Sequence, residues 1–399
     1  MLRRSLVKGF SLVELMIALA LGSIITTGVV QLFVANSETH NLLVGQSRMQ
    51  ESARFALEFI GRQVRQAGYR GCFSSNDQLN STINPPASLP YEFDLRFGIE
   101  GFEATGVKNW TPALTALPNT DEPLSVFATI NGYGAGNGIN IGTVASGSDL
   151  VTFRHLSQTD ARLGGFIADD GSLQFGNMPT SDEPIVVGIL QGWAEFDQDH
   201  IVMIHDCEKA TMFRVTTANP WGRNADDSPG QAPADANLTI GHDEADTDAT
   251  RNITRQLALI NTFGIDAAVS AIESHTFYVA PGEGVNNEGN TPLSLWRKST
   301  LEAPIELVEG VEDLQVLYGA DTDADGIPNQ YLPANLVADW TTIVTVRVTV
   351  VVNSVDTVGG TTMPTLGCEV QEGCVDDGET FDGLVRRSFS QTIQLRNHG

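Results

Sequence analysis

Basic side chains are scarce in this chain. Lys and Arg number 23 against 49 Asp and Glu, for a net charge of −26. That balance excludes a broad nucleic-acid interface, because phosphate contacts need clustered cations. It favours solubility, cation binding or a basic partner. Proline is absent before Pro85, so no ring clash interrupts a helix in the opening stretch. Cysteine is sparse: Cys72, Cys207, Cys368 and Cys374, with no Cys-x-x-Cys spacing, which removes zinc-knuckle and thioredoxin-like readings. Neither His-Glu-x-x-His nor Gly-x-Ser-x-Gly occurs, so the signatures of metalloproteases and serine hydrolases are missing. Without them His200, His205 and His242 read as surface or satisfied core side chains, and the chain reads as a non-enzyme. Gly132, Gly134, Gly136 and Gly138 alternate, but Asn137 breaks the dinucleotide-binding fingerprint and a loop is expected there.

One long apolar run is present, and it stands at the start. After MLRRSLVKG come Phe10 to Val34, 25 residues without Lys, Arg, Asp or Pro and with Glu14 as their sole charge. About 20 apolar residues cross a bilayer as a helix. The cations Arg3, Arg4 and Lys8 predict a cytoplasmic N-terminus and an exported body. A secretory signal cut after Ala18-Leu19-Ala20 fits poorly, because apolar residues continue to Val34. A plain anchor leaves Glu14 unexplained. A carboxylate costs about 2.5–3.5 kcal/mol at a membrane helix centre, less toward the interface, and calls for a partner.

The helix is expected to continue beyond the membrane. Met49, Ala53, Ala56, Ile60, Val64 and Ala67 recur at helical spacing, opposite Arg48, Glu51, Arg54, Glu58, Arg62 and Arg65. Gly68 supplies a stop. A helix from Phe10 to Ala67 would run 58 residues, roughly 87 Å. Residues 74–148 read as loops and short strands. Clearer strands are expected at Leu150–His155, Ile201–His205, Thr211–Thr216, His275–Val279, Leu293–Arg297, Leu314–Tyr318, Ile343–Val352 and Leu384–Leu395. Residues 223–252 are polar and read as a solvated loop, and Ile253–Phe263 as a short helix. The fold class is therefore α+β: a long N-terminal helix packed on an antiparallel β-sheet body with long loops.

Two features of the body carry chemistry. Asp321, Asp323 and Asp325 alternate and are followed by Gly326, the first half of a calcium loop, with Asn329 as a further ligand. Position 12 is Leu332 rather than Glu, so the EF-hand shell is incomplete and an acidic hairpin turn competes with it. An even cysteine count behind an exporting N-terminus predicts two disulfides, with three pairings open. Pairing Cys72 with Cys207 would staple the helix end to the sheet and contribute ~4 kcal/mol by chain entropy; Cys368 and Cys374 would close a small loop.

The stretch KGFSLVELMIALAL, Lys8 to Leu21, resembles the leader junction of type IV prepilins and type II secretion pseudopilins. The resemblance implies that a prepilin peptidase cuts between Gly9 and Phe10 and N-methylates Phe10. It also implies that Glu14 is the assembly glutamate at mature position five. AGYRGC at 67–72, HDCEKATMFRV at 205–215, LVEGVEDLQVLYGADTDADGIPNQY at 307–331 and LRN at 395–397 resemble the PilW family of minor pilins. The resemblance divides the chain into leader 1–9, transmembrane half-helix 10–34, amphipathic half-helix 35–70 and a β-rich periplasmic or extracellular body 71–399. The expected role is non-enzymatic: initiation or capping of type IV pilus assembly, in support of twitching motility, adhesion or DNA uptake. Expected partners are the prepilin peptidase, other minor pilins, the major pilin and the inner membrane. No cofactor is required beyond the calcium option. A J-type pseudopilin and a membrane-tethered calcium-dependent adhesin are the alternatives.

Overall fold

The computed structural model describes residues 11–72, 79–83, 91–114, 138–167, 173–176, 178, 185–188, 200–220, 237–243, 252, 262–300, 302–358 and 383–397. It opens with helix α1, Leu12–Gln66, 55 residues and roughly 82 Å long. The helical stripe is buried along its whole length: Met49, Ala53, Ala56, Ile60, Val64 and Ala67 are each at most 2% exposed. Arg48, Glu51, Arg54, Glu58 and Arg62 lie on the opposite face. The helix ends where glycine permits it. The Ala67 amide donates to Gln63 O, and Gly68 turns to φ +74°. A Cβ on Gly68 would collide with the carbonyl oxygen of Asn397. The Asn397 amide nitrogen faces the carbonyls of Arg65 and Ala67 at 3.5 and 3.4 Å, which addresses acceptors a helix terminus leaves without intrahelical partners. The C-terminal Leu-Arg-Asn therefore closes the far end of α1.

Among the described residues, the strands are β1 (Leu79–Ser81), β2 (Ile99–Gly106), β3 (Asn109–Thr111), β4 (Leu150–Ile167), β5 (Leu173–Phe175), β6 (Ile185–Gly188), β7 (Ile201–His205), β8 (Ala210–Arg214), β9 (Thr217–Pro220), β10 (Asn237–Gly241), β11 (Ala268–Pro281), β12 (Leu293–Ser299), β13 (Ile305–Glu309), β14 (Val311–Ala320), β15 (Gln330–Leu332), β16 (Ile343–Asn353) and β17 (Arg386–Gln394). β1 to β13 form one sheet, threaded β1-β8-β7-β11-β4-β6-β10-β9 with the others on its branches. β14 to β17 form a second sheet in the order β15-β14-β16-β17. Pairings are antiparallel except β1 with β8. The buried stripe of α1 shares one core with Leu314 and Val316 of β14, Val346, Val348 and Val350 of β16, and Ile393 of β17. β16 supplies this face by alternation, every second residue from Val344 to Val352 being buried.

The passage from one sheet to the other is a single residue. β13 ends at Glu309, β14 begins at Val311, and Gly310 between them has φ +82°. A Cβ there would stand 2.7 Å from Val355 Cγ2. Gly310→Ala combines a left-handed backbone with overpacking, so a loss of about 2–4 kcal/mol is expected. Urea unfolding of the full chain in detergent checks it, and a loss under ~1 kcal/mol would refute the steric cause.

The structure corrects the reading of residues 223–252 as a solvated loop. β10 lies inside it and pairs with β6 and β9. Ile240 and Asn252 are fully buried, and the Asn252 side chain accepts from the Arg214 amide and donates to its carbonyl. Strand pairing from distant segments outweighs the polar local composition. The short helix expected at Ile253–Phe263 falls almost wholly outside the described residues, as do Gly132, Gly134 and Gly136.

Candidate functional site: the exposed half-helix and the polar clusters of the body

The N-terminal half of α1 packs on nothing among the described residues. Leu12, Leu19, Ile24, Leu32 and Phe33 are each at least 66% exposed. The helix is long and apolar enough to cross a membrane. Its polar groups are satisfied from within: the hydroxyls of Ser23, Thr26, Thr27 and Thr39 donate to carbonyls three or four residues back, as a lipid-facing helix requires. Its start is a capping box, in which Ser11 Oγ accepts from the Glu14 amide and Glu14 Oε2 from the Ser11 amide, each at 3.1 Å. Glu14 thus has an intrachain contact at the helix mouth. Gly9 and Phe10 lie outside the described residues.

Cys72 and Cys207 form a disulfide, with Cα atoms 4.9 Å apart and a sequence separation of 135. Cys72 follows the end of α1, and Cys207 sits in the turn between β7 and β8. Cys368 and Cys374 lie outside the described residues.

Asp321, Asp323, Asp325 and Asn329 meet in the turn between β14 and β15. The three carboxylates offer oxygens within 4.8 Å of one another. Much of their capacity is engaged locally. Asp321 accepts from the amides of Asp323, Ala324 and Gly326 at 3.2, 2.7 and 2.7 Å. Asp325 accepts from the Ile327 amide. Asn329 donates to Asp323 and accepts from Thr322. Although desolvation acts to raise its pKa, these amide donors hold Asp321 below the ordinary carboxylate range. The spacing that suits a cation also suits a self-capped acidic turn.

A second cluster joins residues that the sequence keeps far apart. His155 of β4 is the cross-strand partner of Glu273 of β11, and His275 lies two residues further along β11, so all three share one face. His155 Nε2 and His275 Nε2 stand 3.8 and 3.6 Å from Glu273 Oε2, and the two rings are 5.5 Å apart. His155 Nδ1 is 2.9 Å from the Leu156 carbonyl, and His275 Nδ1 is 3.1 Å from Ser299 Oγ. Gln63 Oε1 of α1 reaches His155 Nε2 at 3.1 Å. Burial pulls His155 below its ordinary pKa, and the polar contact with His275 pulls Glu273 down. The one signal of this cluster in the sequence is Glu-Ser-His at 273–275, an i, i+2 pair on one strand face. His205 instead bonds Ser270 at 3.0 Å, and His242 packs edge-on to Phe213. His200, His205 and His242 form no metal-ligating group among the described residues.

Residues 276–397 match the family model of the type IV pilus-assembly protein W, and residues 4–30 match that of the prokaryotic N-terminal methylation motif. No curated protein and no solved structure matches the chain. The first match covers β12 to β17, hence the Gly310 crossing and the Asn397 cap; the second begins at residue 4 and covers the exposed start of α1. The chain therefore joins a match to the N-terminal methylation motif, on a helix long and apolar enough to cross a membrane, to a region similar to the type IV pilus-assembly protein W family, which supports a type IV pilus-related, pilin-like protein.

Proposed function

We propose that this chain is a non-enzymatic minor pilin that helps to initiate or cap type IV pilus assembly. The observation that carries the reading is the division of α1. One half buries an apolar face against the body, and the other presents an apolar surface all round, suited to lipid or to other such helices. Prepilin peptidase cuts between Gly9 and Phe10 and methylates Phe10. Before cleavage the protein sits in the inner membrane with residues 1–9 in the cytoplasm. Afterwards residues 10–34 remain in lipid or enter the helix bundle, while residues 35–70 and the body 71–399 stand in the periplasm and at the pilus tip. Other minor pilins and the major pilin are its neighbours. Within the bundle, Glu14 exchanges its contact with the Ser11 amide for the Phe10 ammonium of an adjacent subunit. A buried charge with such a partner is far less costly than one without.

Mass spectrometry of membrane-extracted protein is expected to give a terminus at N-methylated Phe10. An intact Met1, or a terminus after Ala20, overturns the processing step. In the same preparation Glu14→Lys should insert and fold but no longer co-purify with other minor pilins. Unchanged co-purification would overturn the assembly role. Loss of hydrolase secretion with normal pili on deletion would assign the chain to a type II secretion pseudopilus instead.

A further inference from the structure

The cluster of His155, Glu273 and His275 lies outside both matched regions and bears on no step of pilin processing or helix assembly. It sits where β11 changes partner. On one edge β11 pairs with β7 through Ala268–Ala271 and with β12 through His275–Pro281. Ile272–Ser274 in between pair with neither, and a cleft of about 420 Å³ opens there, lined by Glu273, His275, His200, Ser299 and Glu302. His155 and His275 are 2% and 9% exposed, while the Glu273 side chain is 38% exposed toward solvent.

The atoms that converge are lone-pair donors. The Leu156 carbonyl can only accept, so His155 carries its proton on Nδ1 and, when neutral, directs an unprotonated Nε2 into the cluster. Ser299 Oγ can accept the Nδ1 proton of His275 in the same way, leaving that ring's Nε2 to face Glu273. Gln63 Oε1 stands 3.1 Å from His155 Nε2, so a metal binds there by displacing any proton that Nε2 shares with this oxygen. The Nε2–Oε2 separations of 3.6 and 3.8 Å exceed a hydrogen bond. They lie near the ~3.3 Å edge of a tetrahedron around zinc, whose ligand bonds are about 2.0–2.2 Å. Both rings are held from behind through Nδ1, as the rings of metal-ligating histidines usually are.

We propose that His155 Nε2, His275 Nε2 and Glu273 Oε2 bind one zinc ion, with the fourth position facing the cleft. The ion takes the place of a proton on His155 Nε2, where Gln63 Oε1 faces it, and so braces the end of α1. Two histidines and one carboxylate with one open position suit zinc among the divalent cations; calcium and magnesium prefer all-oxygen shells.

The test uses full-length protein in detergent, stripped with a chelator, dialysed against zinc chloride and assayed for bound metal. One zinc per chain is expected, with a raised thermal midpoint. Glu273→Gln with His275→Asn should weaken zinc binding more than about tenfold, whereas Asp321→Asn with Asp323→Asn should leave it unchanged. No uptake by the wild type, unaltered uptake by the first pair, or loss in the second pair overturns the proposal. Circular dichroism reports whether the variants fold. If the first pair does not, cobalt substitution of the wild type decides: intense visible bands of four-coordinate cobalt with nitrogen ligands support the site, and the weak spectrum of an all-oxygen octahedral ion overturns it.

Discussion

Replacing Cys72 and Cys207 together by serine is expected to remove about 4–5 kcal/mol of stability. The bond closes a loop of 135 residues, and the chain-entropy relation gives about 5 kcal/mol for a loop of that size. Domains carry only ~5–15 kcal/mol in total, so the loss is about a quarter or more of the reserve. The bond also sits where the helix direction is set. Beyond Gln66 the chain leaves α1 through Gly68, whose amide donates to the Arg154 carbonyl, and Tyr69, whose carbonyl accepts from the Leu156 amide. Those two bonds to β4 and the disulfide to the β7–β8 turn are what aim the helix across the sheet. Without the disulfide the buried stripe from Met49 to Ala67 keeps its apolar contacts, so the variant should fold but unfold at lower denaturant. Urea titration of the full chain in detergent, followed by circular dichroism, measures the shift. An unchanged midpoint would show that the helix end is held without the bond. Because Cys368 and Cys374 are only six positions apart, the same logarithm predicts a smaller loss for that pair, so the serine double variant is a cleaner probe than reduction of all four thiols.

The elements legible in the sequence are those whose signal is local. Helix α1 announces itself through apolar residues three and four apart, and every residue of that stripe is buried in the structure. The alternating valines of β16 and the run Ile201–His205 are read in the same way. The errors arise where pairing partners decide. Local alternation ends β4 at His155, but the strand continues to Ile167, and β11 begins at Ala268 rather than His275, because each extension is held by strands remote in sequence. β10 hides in an acidic stretch in which, among the described residues, Ile240 is the fully buried apolar side chain. The same limit governs the polar clusters. Asp321, Asp323 and Asp325 are visible because their spacing is local, yet local spacing does not separate a cation shell from a turn capped by its own amides. His155 and Glu273 are more than a hundred residues apart, and only the β4–β11 register makes them neighbours. The Cys72–Cys207 pairing is within reach of the sequence because one cysteine follows a helix end and the other follows a strand.

Arg154→Met is expected to cost about 3–5 kcal/mol, the loss found when one partner of a buried ion pair is removed. Arg154 is fully buried on β4, beneath the end of α1. Its Nε donates to the Tyr91 carbonyl at 2.7 Å and its Nη1 to the Phe97 carbonyl at 3.0 Å. Nη2 lies 2.6 Å from Glu100 Oε2, and the guanidinium stacks 4.1 Å above the Tyr91 ring. One side chain therefore ties the 91–100 segment to β4 beside the point where the Gly68 amide meets the Arg154 carbonyl. Methionine fills similar volume but leaves two carbonyls and a carboxylate without their donor. Burial already pushes Glu100 upward, with Arg154 as its main counterweight. Loss of the cation should therefore raise the Glu100 pKa further, making the variant least stable at neutral and alkaline pH, where the carboxylate must stay charged. Adding Glu100→Gln to Arg154→Met removes that stranded charge and should return part of the loss. A double-mutant cycle in urea, repeated at acidic and neutral pH, separates the two contributions. If Arg154→Met loses under ~1 kcal/mol, or if the second substitution adds its full cost to the first, the pair does not act as a unit and the helix end is held by the disulfide and backbone contacts alone.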